Sequence, residues 1–253
     1  SDPFWNIRLL AIGKIGRLRD ANKEKGVEII KIMAMKDSNS AVRSAALNAV
    51  AKYMNEEDLA NLYKERISND KSYTVVTAAL MNYSLSNPEE AMLLAEKLEG
   101  ERSSKMISGV AQLYAGHANV EKYDFFKQSL TGSIVQGFDK LGLMNSFSLY
   151  LSRQDPNIIT NALEVYANLS ENGSFYMKMF LPQNLNYLSD HCSSKIKELK
   201  TELDGYEKNN DAVYADKARK AISSYETLKN KIQAMIADLE KQSGDVKVNI
   251  EED

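Results

Sequence analysis

Asp37-Ser38-Asn39-Ser40-Ala41-Val42-Arg43-Ser44-Ala45-Ala46 decides how this chain folds, because its pattern does not occur alone. An acidic residue is followed at +5 and +6 by an aliphatic residue and an arginine, and at +9 by an alanine. The same arrangement begins at Asp2, with Ile7-Arg8 and Ala11. It returns at Asp70 with Val75-Val76 and Ala79, the arginine having been lost. The starts lie 35 and 33 residues apart, a period that a two-helix repeat fills and that an ordinary globular domain has no reason to keep. The first copy opens at Asp2 with no capping element ahead of it, so a piece of a longer polypeptide is expected.

Outward from that segment, apolar residues keep helical spacing: Leu9, Ile12 and Leu18; Val27, Ile30 and Ala34; Leu93, Leu94 and Leu98; Val110, Leu113 and Tyr114. Alternation of strand type is almost absent. Two of the four prolines mark helix starts, since Asn87-Pro88 and Asp155-Pro156 each set a capping side chain before a proline at the first helical position. Asn55-Glu56-Glu57-Asp58 loads another first turn with carboxylates, which the helix dipole favours. Ten helices are predicted, at 3–18, 22–36, 40–53, 56–67, 72–84, 88–98, 102–116, 119–130, 134–152 and 156–170. The gaps hold Asp, Asn, Ser and Gly and suit short turns between antiparallel neighbours, so the helices pair into five hairpins. The fourth pair has Glu101, Met106-Ile107 and Val110 at the signature offsets, a drift that repeat units tolerate because each packs only on its neighbours.

Composition changes near residue 172, where Asn172-Gly173 closes the fifth pair. Phe175-Tyr176-Met177-Lys178-Met179-Phe180-Leu181-Pro182 reads as an aromatic linker that packs between the array and a C-terminal hairpin. In that hairpin Leu185, Leu188, Cys192, Ile196, Leu199, Leu203 and Tyr206 form one apolar seam, and Ala218, Ala221, Tyr225, Leu228, Ile232, Met235 and Leu239 a second, with Asn209-Asn210-Asp211 as the turn between them. The expected fold is all-α: an α-solenoid of antiparallel helix pairs over 1–172, a linker and long helical hairpin over 173–242, and a disordered acidic tail over 243–253. Each hairpin helix is expected to be roughly 35–40 Å long at 1.5 Å per residue.

With 43% apolar and 26% charged residues the chain can build a core, and a net charge of −3 with no basic block argues against a nucleic-acid or anionic-membrane surface. No apolar run approaches the roughly 20 residues of a membrane span. A single cysteine, Cys192, forms no internal disulfide and leaves the redox compartment open. The two histidines, His117 and His191, are far apart in sequence and match no H-E-x-x-H. His191-Cys192 does not make a nucleophile and base, since adjacent helical residues point apart and Cys192 falls on the apolar seam. Gly13 and Gly16 follow no strand and precede no Gly-Lys-Ser/Thr, so they cradle no phosphate. Glu56-Glu57 and Glu89-Glu90 are explained by helix first turns. Lys195, Lys197, Glu198, Lys200 and Glu202, with Lys229 and Lys231, read as the wet face of the hairpin. No catalytic or cofactor-binding residue is assigned.

The repeat units resemble HEAT repeats, whose first helix carries an aspartate and an arginine of this kind. The resemblance assigns Asp2, Arg8, Asp37, Arg43 and Asp70 a structural role, bracing neighbouring units and shaping the turn. The opening Asp2-Pro3-Phe4-Trp5-Asn6-Ile7-Arg8-Leu9-Leu10-Ala11-Ile12 and the Phe175 to Leu181 stretch also resemble the C-terminal helical domain of bacterial zinc aminopeptidases of the aminopeptidase N type, a gluzincin family. In that family the H-E-x-x-H, the distant glutamate ligand and the Gly-x-Met-Glu-Asn motif lie upstream of this domain, and none matches a position here. The resemblance therefore implies a non-catalytic domain that closes over an upstream catalytic domain of the same polypeptide and shapes peptide access. Zinc is expected there and no cofactor here.

The compartment stays open, a periplasmic or cell-envelope parent being one expectation under the resemblance. The edge formed by Phe4, Trp5, Leu9 and Ile12 is expected to be covered by preceding domains. The alternative is a free-standing HEAT scaffold that binds a protein partner.

Overall fold

Capping side chains set the starts of the helices. Asn39 accepts from the amides of Ala41 and Val42, Asn55 from Asp58 and Asp155 from Asn157. Each satisfies donors that a helix leaves unpaired in its first turn. The computed structural model describes residues 4–18, 20–117 and 120–250, and among these it contains twelve α-helices and no strand. They are α1 (Trp5–Lys14), α2 (Asp20–Lys36), α3 (Ser40–Val50), α4 (Glu56–Asn69), α5 (Tyr73–Ser84), α6 (Pro88–Leu98), α7 (Ser104–His117), α8 (Tyr123–Thr131), α9 (Gly137–Leu151), α10 (Pro156–Asn172), α11 (Phe175–Lys208) and α12 (Ala212–Ile250). The first predicted helix stops at Lys14 and tightens into a 3-10 turn over Ile15–Arg17. Gly13 and Gly16, poor helix formers, flank that change.

The chain forms two compact units, Ser1–Leu113 and Tyr114–Asp253. In the first, α1 packs on α3 and α3 on α5 in one row, while α2 packs on α3, α4 on α5 and α6 on α5. Val42, Ala46 and Leu47 of α3 and Val75, Ala79 and Leu80 of α5 are fully buried, so the repeated aliphatic residue and alanine are the contact positions of the row. At one point the helices come close enough to require glycine. A Cβ on Gly109 of α7 would overlap the Thr77 Cγ2 on α5 and lie 2.8 Å from its Cβ. Thr77 has little room to move, because its hydroxyl donates to the Tyr73 carbonyl at 2.8 Å. Gly109→Ala is expected to destabilise the first unit by about 1–3 kcal/mol, read as a lower urea midpoint with an unchanged slope.

In the second unit α8, α9 and α10 pack with the hairpin: α11 lies on α9 and α10, and α12 on α10. The all-α fold with α-solenoid architecture is the one expected. The stretch 175–182 is not a linker. Ser174 caps it by accepting from the Met177 amide, and it forms the first turns of α11, with Pro182 inside the helix. At 34 residues α11 is about 50 Å long, well beyond the expected length. Of the aromatic and methionine cluster only Met177 and Leu181 are buried, so its expected packing role falls to two residues.

The seam of α12 is also wider than expected. Ala215, Ala218, Ile222, Leu228, Ile232 and Ile236 are buried, while Ala221, Tyr225, Met235 and Leu239 are half-buried flanks. Contact with α10 as well as α11 demands a broader apolar face than a two-helix seam. Asn210, at φ 55°, makes the turn in the left-handed conformation that asparagine tolerates. The α12 backbone remains helical to Ile250, where an irregular tail from residue 243 was expected, and residues 251–253 lie outside the described residues.

Candidate functional site

The repeated residues meet across copies, each arginine reaching the aspartate of the next. Arg8 on α1 donates from Nε to Asp37 Oδ2 at 2.7 Å and from Nη2 to Oδ1 at 2.8 Å. Arg43 on α3 repeats the fork on Asp70, with Nε to Oδ2 at 2.8 Å and Nη2 to Oδ1 at 2.7 Å. Its remaining nitrogen, Nη1, donates to the Asp37 carbonyl at 2.8 Å. Each aspartate also closes the turn before a helix, Asp37 accepting from the Asn39 amide and Asp70 from Ser72, both at 2.9 Å. One carboxylate thus joins a turn to the previous copy through a planar two-point contact that lysine could not supply. Asp2 lies outside the described residues.

The sequence reading named Arg8, Asp37, Arg43 and Asp70 but not the residues of the next two contacts. Arg66, in the last turn of α4, donates to the Met35 carbonyl at the end of α2 at 2.8 Å and stands 3.4 Å from Asp70. The sign that could have found it is an arginine four residues before the repeated aspartate. Where Val76 replaces the third arginine, Tyr73 donates to Glu101 at 2.9 Å, so the copy-to-copy link continues with a different donor.

Arg8 hydrogen bonding holds the Asp37 carboxyl below its ordinary 3.8. Burial pushes Asp70 upward, but the bonds from Arg43 and Ser72 outweigh it and the net shift is downward. The stability these groups contribute is present above 3.8, where the unfolded chain is ionised too, and is lost as pH falls through the lower folded values. The first unit is expected to lose stability steeply below about pH 4. Asp37→Asn should flatten that dependence, as circular dichroism during acid titration would show.

The other candidate residues do not converge. His117 ends α7 and His191 lies on α11. His191 Nε2 is buried without a hydrogen-bond partner, its ring edge meets Tyr225 with centroids 6.3 Å apart, and burial followed by the Lys195 charge lowers its pKa. Both effects favour the neutral imidazole. Cys192 is fully buried and its thiol is pushed up to about 11, which leaves it unreactive. A cleft of about 780 Å³ opens beside it, between the α9–α10 turn and the hairpin, and includes Arg153, Asp155, Lys195, Glu198 and Tyr225. Lys195 and Glu198 pair with each other at 2.7 Å, and Arg153, Asp155 and Glu202 add charges of both signs to the lining. Among the described residues no group of three or more His, Cys, Asp or Glu is placed to hold a metal ion, and no helix is long and apolar enough to cross a membrane.

Large apolar side chains are exposed in both units. In the first unit Phe4, Trp5, Ile7 and Leu10 on or beside α1, with Ile29, Ile32 and Met35 on α2, are exposed. Ile12, expected at this edge, is buried and Leu9 is half-buried, because they turn toward the repeat row and Leu10 turns away from it. In the second unit Phe138, Phe175, Tyr176 and Met179 are exposed, with Phe138 and Tyr176 rings 6.1 Å apart. Exposed apolar surface, where it is contiguous, marks protein interaction sites.

Residues 1–84 match the family model of HEAT repeats, which covers the Arg8, Asp37, Arg43 and Asp70 ladder. No curated protein and no solved structure matches the chain. Over residues 1–84 the chain is similar to HEAT repeats, helical scaffolds that commonly mediate protein interaction.

Proposed function

We propose that this chain is a non-catalytic protein-docking scaffold, and that it serves as the C-terminal domain of a bacterial zinc aminopeptidase of the aminopeptidase N type. The observation that carries the docking reading is the exposed apolar face of α1 and α2, a surface that favours a protein partner over a small polar substrate. The peptidase reading is supported by the resemblance of residues 2–12 and 175–181. In that role zinc and all bond-breaking chemistry belong to an upstream catalytic domain, and this chain bounds the space through which peptides reach it. A free-standing HEAT scaffold with a separate protein partner is the alternative.

The coding sequence ahead of Ser1 separates the two. An H-E-x-x-H with a more distant glutamate is the expected finding, and an initiator methionine next to Asp2 would sink the peptidase reading. The isolated chain should bind no zinc stoichiometrically and should not hydrolyse an aminoacyl anilide. Robust zinc-dependent turnover by this chain alone would show that a catalytic site had been overlooked.

A further inference from the structure

The copies of the repeat differ at matching positions, and the difference shows what α1 lacks. Ile7, Val42 and Val75 stand at the same place in the pattern; Val42 and Val75 are 0% exposed and Ile7 is 50% exposed. Ala11, Ala46 and Ala79 are likewise equivalent, and only Ala11 is exposed. The second helices agree when aligned on the aspartate that comes after them, Ile29 being 49% exposed where Leu62 is 9%. The positions bared in the first copy are buried in the copies that follow it. Further along α2, Ile32 and Met35 are apolar and exposed where the next copy carries Glu65 and Ser68. A repeat that ends a stack presents a polar outer face. This one does not.

We infer that the outer face of α1 and α2 is a docking site for one further antiparallel helix pair of the same repeat type, seated as α1 and α2 sit on α3. The internal joints dictate the partner's chemistry. It brings small and aliphatic side chains to Ile7, Ala11 and Ile29, and an arginine for Asp2, which occupies in sequence the place of Asp37 and Asp70. The inference deepens the docking half of the proposed function and is independent of its peptidase half, since it rests only on the repeat geometry.

The test supplies the partner from the chain itself. Residues 37–69, a complete copy with Arg43, are duplicated directly ahead of Asp2, so that Asn69 runs into Asp2 as it natively runs into Asp70. The extended chain is expected to melt about 5 °C higher than the original and to keep its added segment intact under a protease concentration that digests unfolded chain. Ile7→Glu and Ile29→Glu should abolish that gain in the extended chain and leave the original nearly unchanged, because both side chains are half exposed there. Asp2→Asn should reduce it. An extended chain that melts with the original and loses its added segment to protease overturns the inference. So does sedimentation showing that the original chain dimerises and that Ile7→Glu dissociates it, because the occupant would then be a second copy.

Discussion

Phe147→Ala is expected to cost the second unit about 4 kcal/mol and to lower its thermal midpoint by roughly 10 °C or more. Phe147 is fully buried, and its ring lies 5.5 Å from Phe126, 5.8 Å from Tyr166, 6.1 Å from Tyr123 and 6.4 Å from Tyr150, centroid to centroid. Truncation removes the ring that these four share, and the walls have little freedom to close over the gap. Tyr166 is tied through its hydroxyl to Ser148 at 2.6 Å, and Ser148 donates in turn to Asn184 on α11 at 2.7 Å. A cavity that cannot collapse adds its own penalty to the lost transfer energy. Phe147→Leu, which fills most of the volume, should cost only about 1 kcal/mol. Urea unfolding monitored by near-ultraviolet circular dichroism reads both, and a loss below about 1 kcal/mol for the alanine variant would mean that the aromatic cluster does not hold this unit together.

Arg43→Met is expected to cost the first unit about 3 kcal/mol. The Asp70 side chain is only 3% exposed, so removing the guanidinium leaves a buried carboxylate with the Ser72 amide and the more distant Arg66. The Asp37 and Ser38 carbonyls lose a donor in the same step. Replacing both partners, Arg43→Met with Asp70→Asn, should cost less than the two single changes added together, by about 1–3 kcal/mol. Arg219 is the control: it pairs with Glu207 at 2.6 Å and Asp216 at 2.7 Å on the exposed hairpin surface, and Arg219→Met should change stability by less than about 1 kcal/mol. Equal effects at Arg43 and Arg219 would remove the ladder from the account of the fold.

Helix positions were legible because apolar spacing and first-turn residues such as those after Asn55 and Asp155 act over a few residues, and the structure keeps those starts; α6 also starts at Pro88, although Asn87 makes no side-chain cap bond. Contacts between helices were less so. The repeated aspartate and arginine were visible, but nothing local tells Arg8 to reach Asp37, 29 residues on. The aromatic and methionine density of 175–182 made it look like a linker, whereas a capped helix with buried Met177 and Leu181 runs through it and absorbs the backbone bond that Pro182 removes. Ile222 and Ile236 fell outside the expected seam because a two-helix frame takes no account of α10. The exposed edge was legible in part: Phe4 and Trp5 are bare as expected, but which residues of α1 face outward depends on where α3 lies, and Ile12 is buried while Leu10 is exposed.

The central claim is that the apolar face of α1 and α2 is an open repeat interface and not a finished surface. Amide hydrogen exchange measured across α1 and α3, in the chain as it stands and in the form carrying the duplicated copy ahead of Asp2, tests it most directly. The account predicts that α1 exchanges much faster than α3 in the original chain and slows to match it in the extended one. Protection of α1 equal to that of α3 in the original chain, or unchanged exchange after extension, would contradict it.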